Sequence, residues 1–167
     1  MQRAYKIKAL GDTVPELADS FEKMASRFDL GKSFMDKLKK AGYQRPTPVQ
    51  MQAVPILFEK RDAIILAETG SGKSLAFIMP LLHMLKRGDG LKAIIVVPTR
   101  ELAIQLYKEF LMFANLSSKS DATARIKFLR KALIPHNAEQ FAAFVKSCEV
   151  LISTPLKLAD LSSQFNL

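Results

Sequence analysis

Residues 67–74, Ala67-Glu-Thr-Gly-Ser-Gly-Lys-Ser74, bring two glycines, a lysine and a serine together within eight positions. Gly70 and Gly72 can curl the backbone so that its N–H groups converge on a small anion with no Cβ in the way. A helix opening at about Gly72 adds unpaired N–H groups and the positive end of its dipole. Lys73 is a point charge able to reach the β- and γ-phosphates of a nucleotide, and the Ser74 hydroxyl is a ligand for Mg²⁺. The pattern therefore predicts ATP or ADP held at its phosphates by Thr69, Gly70, Ser71, Gly72, Lys73 and Ser74. Lys73 and Ser74 take the catalytic positions and Ser74 the metal. The general form of such a loop begins with Gly; here that position is Ala67.

A phosphate loop needs a strand before it and a helix after it. The run Asp62-Ala-Ile-Ile-Leu-Ala-Glu68 is almost wholly apolar and predicts a strand buried on both faces. A helix is expected over 72–86, a second buried strand over 92–98, and its crossover helix over 99–114. Residues 124–129 alternate and predict a third strand, 137–147 a helix, and 149–154 a fourth strand stopping at Pro155. Upstream, Phe34, Met35 and Leu38 recur at helical spacing until Gly42. Thr47 before Pro48 predicts an N-cap with proline at the first helical position, opening a helix through Val49, Ala53 and Leu57. Strands alternating with helices imply an α/β fold, a parallel sheet flanked by helices.

The length of 167 residues suits one such domain, read as 21–167 behind a mixed lead-in, 1–20. Apolar residues make up 49% of the chain, enough for a core, and the formal net charge is +9. That surplus favours a polyanionic partner; a solvated basic surface is the alternative. Cys148 is the only cysteine, which rules out an internal disulfide and suits a small buried hydrophobe. The N-terminus lacks the apolar stretch of a secretory signal. The longest apolar segment, Leu75 to Leu85, is broken by Pro80 and His83 and is too short to cross a bilayer. An intracellular protein with no membrane association is expected.

The form Ala-x-Thr-Gly-Ser-Gly-Lys-Ser is similar to motif I of DEAD-box RNA helicases. Gly42-Tyr-Gln-Arg-Pro-Thr-Pro-Val-Gln50 resembles that family's Q motif, and Pro98-Thr-Arg-Glu-Leu-Ala103 its motif Ia. The resemblance spans Phe21 to Leu167 and implies a RecA-like domain. It gives Gln50 the recognition of adenine, to which a side-chain amide offers one donor and one acceptor. It adds Tyr43 and Arg45 to the cofactor-binding residues, with Phe21 packing on the base and Phe28 as the other candidate. It assigns Pro98, Thr99 and Arg100 to the RNA backbone. Thr154 and Pro155 resemble the start of motif Ib, but Leu156 and Lys157 replace its Gly and Arg, and a lysine cannot form a planar fork with phosphate.

The family's Gly-Gly motif is missing. Lys119, Arg125, Lys127, Arg130 and Lys131 occupy that stretch, as a solvated face or as phosphate contacts. No Asp-Glu-Ala-Asp or Ser-Ala-Thr occurs in the 167 residues, and no second motor domain. The family's sheet places the strands bearing those two motifs in its middle, so open strand edges are expected. The spacing from Phe21 to Gln50, with the Gly11-Asp-Thr-Val-Pro15 lead-in, resembles the ribosome-biogenesis branch. This implies precursor ribosomal RNA and a nuclear or nucleolar site, with the cytoplasm as the alternative. The reading is thus an ATP-dependent RNA helicase in the intact protein, with this stretch alone inactive in hydrolysis. Its rivals are a non-catalytic, nucleotide-dependent module that binds RNA or a partner, and a phosphate-loop phosphotransferase. The latter leaves Gln50 and 98–103 without a role.

Overall fold

Helix ends are set by neighbours a few residues away, and the caps along this chain show it. The computed structural model describes residues 5–85, 90–114, 126–128 and 137–165. The chain divides into two compact units, Met1–Met84 and Leu85–Leu167.

Among its described residues the first unit holds four helices: α1 (Phe21–Phe28), α2 (Lys32–Lys40), α3 (Pro48–Phe58) and α4 (Lys73–Met84). Ser20 caps α1, its hydroxyl accepting from the Lys23 N–H at 3.1 Å. Helix α2 closes at Gly42, whose φ of +83° is left-handed. There the Gly42 and Tyr43 N–H groups reach back to the carbonyls of Lys39 and Leu38. Thr47 and Pro48 open α3 as expected. Helices α3 and α4 pack on each other. The core collects Phe21, Met24, Phe34, Leu38, Val54, Ile78 and Met79, all buried.

The strand expected over 62–68 does not form. These residues join no ladder among the described residues, and Ile64 and Leu66 are 94% and 92% exposed. A strand buried on both faces needs hydrogen-bonded neighbours, and an apolar run supplies none by itself.

The second unit carries β1 (Ala93–Val96), α5 (Arg100–Phe113), β2 (Ile126–Phe128), α6 (Ala138–Ser147), β3 (Val150–Ser153) and α7 (Pro155–Phe165). Its three strands are parallel in the order β1-β3-β2, with Ala93 and Ile126 both opposite Val150. Strand β3 is central and buried at all four positions. Among the described residues strand β1 pairs with β3 alone, and Ile94 and Val96, which share one face of it, are half exposed, not buried as expected. Helix α5 packs on β2 and β3. Strand β3 stops before Pro155 as expected, and Pro155 is also the first residue of α7, where its missing N–H costs nothing. Phe141 stacks on Phe165 at 4.4 Å beside a cluster of Phe144, Cys148, Leu151 and Leu161. Of the basic stretch, Lys119, Arg125, Arg130 and Lys131 lie outside the described residues. Lys127 is described only as a backbone position in β2.

Candidate functional site

The phosphate loop leaves the exposed 62–68 segment and enters α4 at Lys73. Gly70 and Gly72 have φ of +81° and +88°, a conformation that favours glycine, as the sequence required. The Ser71 N–H closes a turn on the Glu68 carbonyl at 3.2 Å. The Lys73 ammonium folds back over the loop and donates to the carbonyls of Ala67 and Glu68 at 2.5 and 2.6 Å. Its charge is thus held against the loop's own carbonyls, and a phosphate oxygen would be a stronger acceptor than either. The Ser71 hydroxyl is buried without a hydrogen-bond partner. An orphaned buried hydroxyl between two left-handed glycines, beside a lysine and a helix N-terminus, fits the phosphates of a nucleotide. For Mg²⁺ the loop offers Ser74, in the first turn of α4. Among the described residues no group of three or more His, Cys, Asp or Glu is placed to hold a metal unaided. A nucleotide-bound Mg²⁺ would draw its other ligands from phosphate, water and a carboxylate.

Gln50 is wholly buried, and both ends of its amide are engaged within the protein. Its Oε1 accepts from the Thr47 N–H at 3.0 Å, and its Nε2 donates to the Gly72 carbonyl at 3.0 Å. The residue thereby ties the start of α3 to the phosphate loop. An adenine could take either amide atom only in exchange for one of these bonds. The approach is close enough that a Cβ on Gly72 would lie 2.4 Å from the Gln50 Nε2. The Thr47 hydroxyl, also at this junction, is buried and unpartnered.

A cavity of about 270 Å³ opens between α1, α2 and the turn after α2, lined by Phe21, Glu22, Met35, Leu38, Lys39, Tyr43 and Gln44. It joins two of the expected base-binding residues, Phe21 and Tyr43, and its largely apolar walls suit a flat heterocycle. Phe28 is occupied elsewhere: it stacks on Phe58 at 4.2 Å with Arg27 over its ring. Arg45 is exposed and does not line the cavity. Met35 and Lys39 were not anticipated as lining residues, although Met35 and Leu38 shared the helical spacing that located α2.

In the second unit, Pro98, Thr99 and Arg100 sit exposed at the carboxyl end of β1, and Thr154 and Pro155 at the carboxyl end of β3. Val96 lies opposite Ser153, and the Val97 N–H donates to the Ser153 carbonyl at 2.9 Å, so the two turns are neighbours on one rim. That rim is where an open parallel sheet binds its ligands. Thr99 Oγ1 accepts from the Leu102 N–H at 3.2 Å and caps α5, which fixes the turn. Lys157 is paired with Asp160 at 2.9 Å, so its charge is partly spent within α7.

A glycine-turned loop at a helix N-terminus, in a chain with parallel strands and helices on them, defines the class of phosphate-loop nucleotide-binding domains. A family model described as DEAD/DEAH box helicase matches residues 47–166, and the chain belongs to that family. It is 36% identical over 159 residues to the probable ATP-dependent RNA helicase ddx52 of Dictyostelium discoideum, covering 94% of this chain and 23% of that protein. It is 38% identical over 160 residues to the DEAD-box ATP-dependent RNA helicase 57 of Oryza sativa subsp. japonica, covering 95% and 28%. The crystal structure of the RNA-helicase Prp28 from Chaetomium thermophilum bound to ADP matches with a TM-score of 0.75. Its sequence identity is 29%, over 99% of this chain and 39% of that one. The fold is the RecA-like α/β arrangement, present in part, and the chain spans about a quarter of the length of these curated relatives. Among the described residues no helix is long and apolar enough to cross a membrane.

Proposed function

We propose that this chain is the nucleotide-gripping part of an ATP-dependent RNA helicase. Residues 21–167 belong to its first motor domain, and 1–20 precede it. The observation that carries the reading is the phosphate loop itself: two left-handed glycines deliver Lys73 to a helix N-terminus beside an unpartnered Ser71 hydroxyl. Lys73, now on the carbonyls of Ala67 and Glu68, would hold the phosphate oxygens of ATP, and Ser74 would supply a hydroxyl ligand to Mg²⁺. Phe21 and Tyr43 receive the base, with Gln50 and Arg45 at its edge. ATP supplies the free energy of phosphoryl transfer, with Mg²⁺ neutralising charge at the phosphates.

RNA is met by Pro98, Thr99, Arg100, Thr154 and Pro155, through its phosphates and sugars. Such contacts position the strand and carry no base code. The natural RNA, on this reading, is structured and includes precursor ribosomal RNA, which puts the protein in the nucleolus. The support is the spacing of the lead-in and Q-like segment.

Hydrolysis needs a carboxylate to hold Mg²⁺ and position water, and an arginine against the transition-state charge. The 167 residues contain neither the Asp-Glu-Ala-Asp nor the Ser-Ala-Thr segment. Two rate measurements test the proposal. Protein of the relatives' length should hydrolyse ATP with at least about tenfold stimulation by single-stranded RNA, while this chain alone should show background turnover. Unstimulated hydrolysis in the long form, or brisk turnover by the 167 residues, would overturn it.

A further inference from the structure

The lead-in before α1 is held at four backbone carbonyls by side chains of α1, of α3 and of the turn that follows α3. Arg61 donates through Nη1 to the Thr13 carbonyl at 2.6 Å and through Nη2 to the Asp12 carbonyl. Gln52 Nε2 donates to Pro15 O at 2.9 Å in a buried bond, and Arg27 Nη1 to Glu16 O at 2.7 Å. A backbone bond from the Ala18 N–H to Met51 O at 3.0 Å continues the attachment up to the cap of α1. The clamp holds strain: Thr13 is β-branched yet sits at φ +48°, a conformation such residues adopt only when surroundings enforce it. Both Arg61 contacts fall at this turn.

The consequence runs to the cavity. Helix α1 has eight residues, too short to hold its place without tertiary contacts, and its first residue is the cavity wall Phe21. At its far end it is fixed by the stack of Phe28 on Phe58. At its near end it is fixed by the clamped lead-in. Neither Arg61 nor Gln52 lines the cavity or belongs to the phosphate loop.

We infer that Arg61 is a positioning residue for base recognition: by pinning the Asp12 and Thr13 carbonyls it seats α1, and so sets Phe21 against the purine. This inference rests on the nucleotide reading above and adds that base affinity and phosphate affinity are separable at the lead-in. Loosening the clamp should weaken what the ring contributes and leave the phosphate contacts alone.

The test is calorimetric titration of the 167-residue chain with ADP and, separately, with pyrophosphate, both with Mg²⁺. Arg61→Ala should lower ADP affinity by about five- to tenfold, a fraction of what the two charge-assisted bonds contribute to seating α1, with pyrophosphate affinity unchanged. Arg61→Lys, which keeps the charge but not the fork, should fall between. Gln52→Leu removes the buried donor at similar volume and should show the same selective loss. Unchanged ADP affinity in these variants would overturn the inference, and so would a parallel fall for ADP and pyrophosphate, which marks general loosening. A wild-type chain that takes pyrophosphate and ADP equally well denies the base a role and removes the inference. One that takes neither ligand removes the nucleotide reading itself, and with it this inference.

Discussion

Two stretches of this chain share one local design: an apolar run, a turn, and a helix. Asp62–Glu68 leads through the phosphate loop into α4, and Lys92–Pro98 leads through Thr99 into α5. Both helices form. Only the second run forms a strand, in parallel register with β3, whereas the first lies exposed with Ile64 and Leu66 in solvent. The difference teaches that a helix is specified by its own residues and a strand by its neighbour. An apolar run of strand length states a capacity to pair, and the partner decides whether it is used. The exposed side chains of Ile94 and Val96 on β1 repeat the point at the sheet's edge.

Five substitutions press on this comparison. Ile152 is fully buried at the centre of the sheet, so Ile152→Asp should cost about 4 kcal/mol or more and unfold the second unit, seen as lost ellipticity and a lowered denaturation midpoint. The next largest effect belongs to Gly72→Ala, at about 2 kcal/mol, because it combines a positive φ with a Cβ driven into the buried Gln50 amide. Gly70→Ala shares the φ but meets open space, so thermal unfolding should register about 1 kcal/mol. Equal losses at the two glycines would mean that the Gln50 contact does not tie the loop. At the second turn, Thr99→Ala removes a helix cap and should cost about 1 kcal/mol with ADP affinity unaltered. The smallest effect is the sharpest on the comparison. Ile64→Asp should change stability by no more than about 0.5 kcal/mol, since its side chain already sits in water. A loss there approaching that of Ile152→Asp would show 62–68 to be a packed strand after all.

What could be read from residues alone follows the same division. Thr47-Pro48, Thr99, Asn137 and Gly42 mark helix ends through contacts a few residues away, and α2, α3, α5 and α6 lie where those signals put them. Helices α1 and α7 go beyond what the sequence predicts, though both carry local signals. Ser20 before Phe21 and Met24 is a cap followed by apolar residues three apart. Pro155 ends strand β3 as expected and, since proline also opens helices, begins α7. Strand pairing was out of reach, because burial of 62–68 and 92–98 depends on segments distant in the chain.

Although the strand expected before it was not there, the glycine turn was legible, since only glycines take the positive φ found at Gly70 and Gly72 at no steric cost. The supports behind it were not. The Gln50 bond to Gly72 spans 22 residues and the Arg61 bond to Thr13 spans 48, distances at which no periodicity or cap rule speaks. The adenine role expected of Gln50 meets an amide already engaged on both sides, a fact only packing could supply.

The central claim is that one ammonium group, presented by the glycine turn, grips a nucleotide's phosphates. Calorimetry of ADP binding to the Lys73→Ala chain addresses it most directly, with circular dichroism to confirm that the helices persist. Removing a charge-assisted contact of this kind should weaken ADP by at least about tenfold while leaving the fold in place. A folded Lys73→Ala chain that holds ADP as tightly as the wild type would contradict the account.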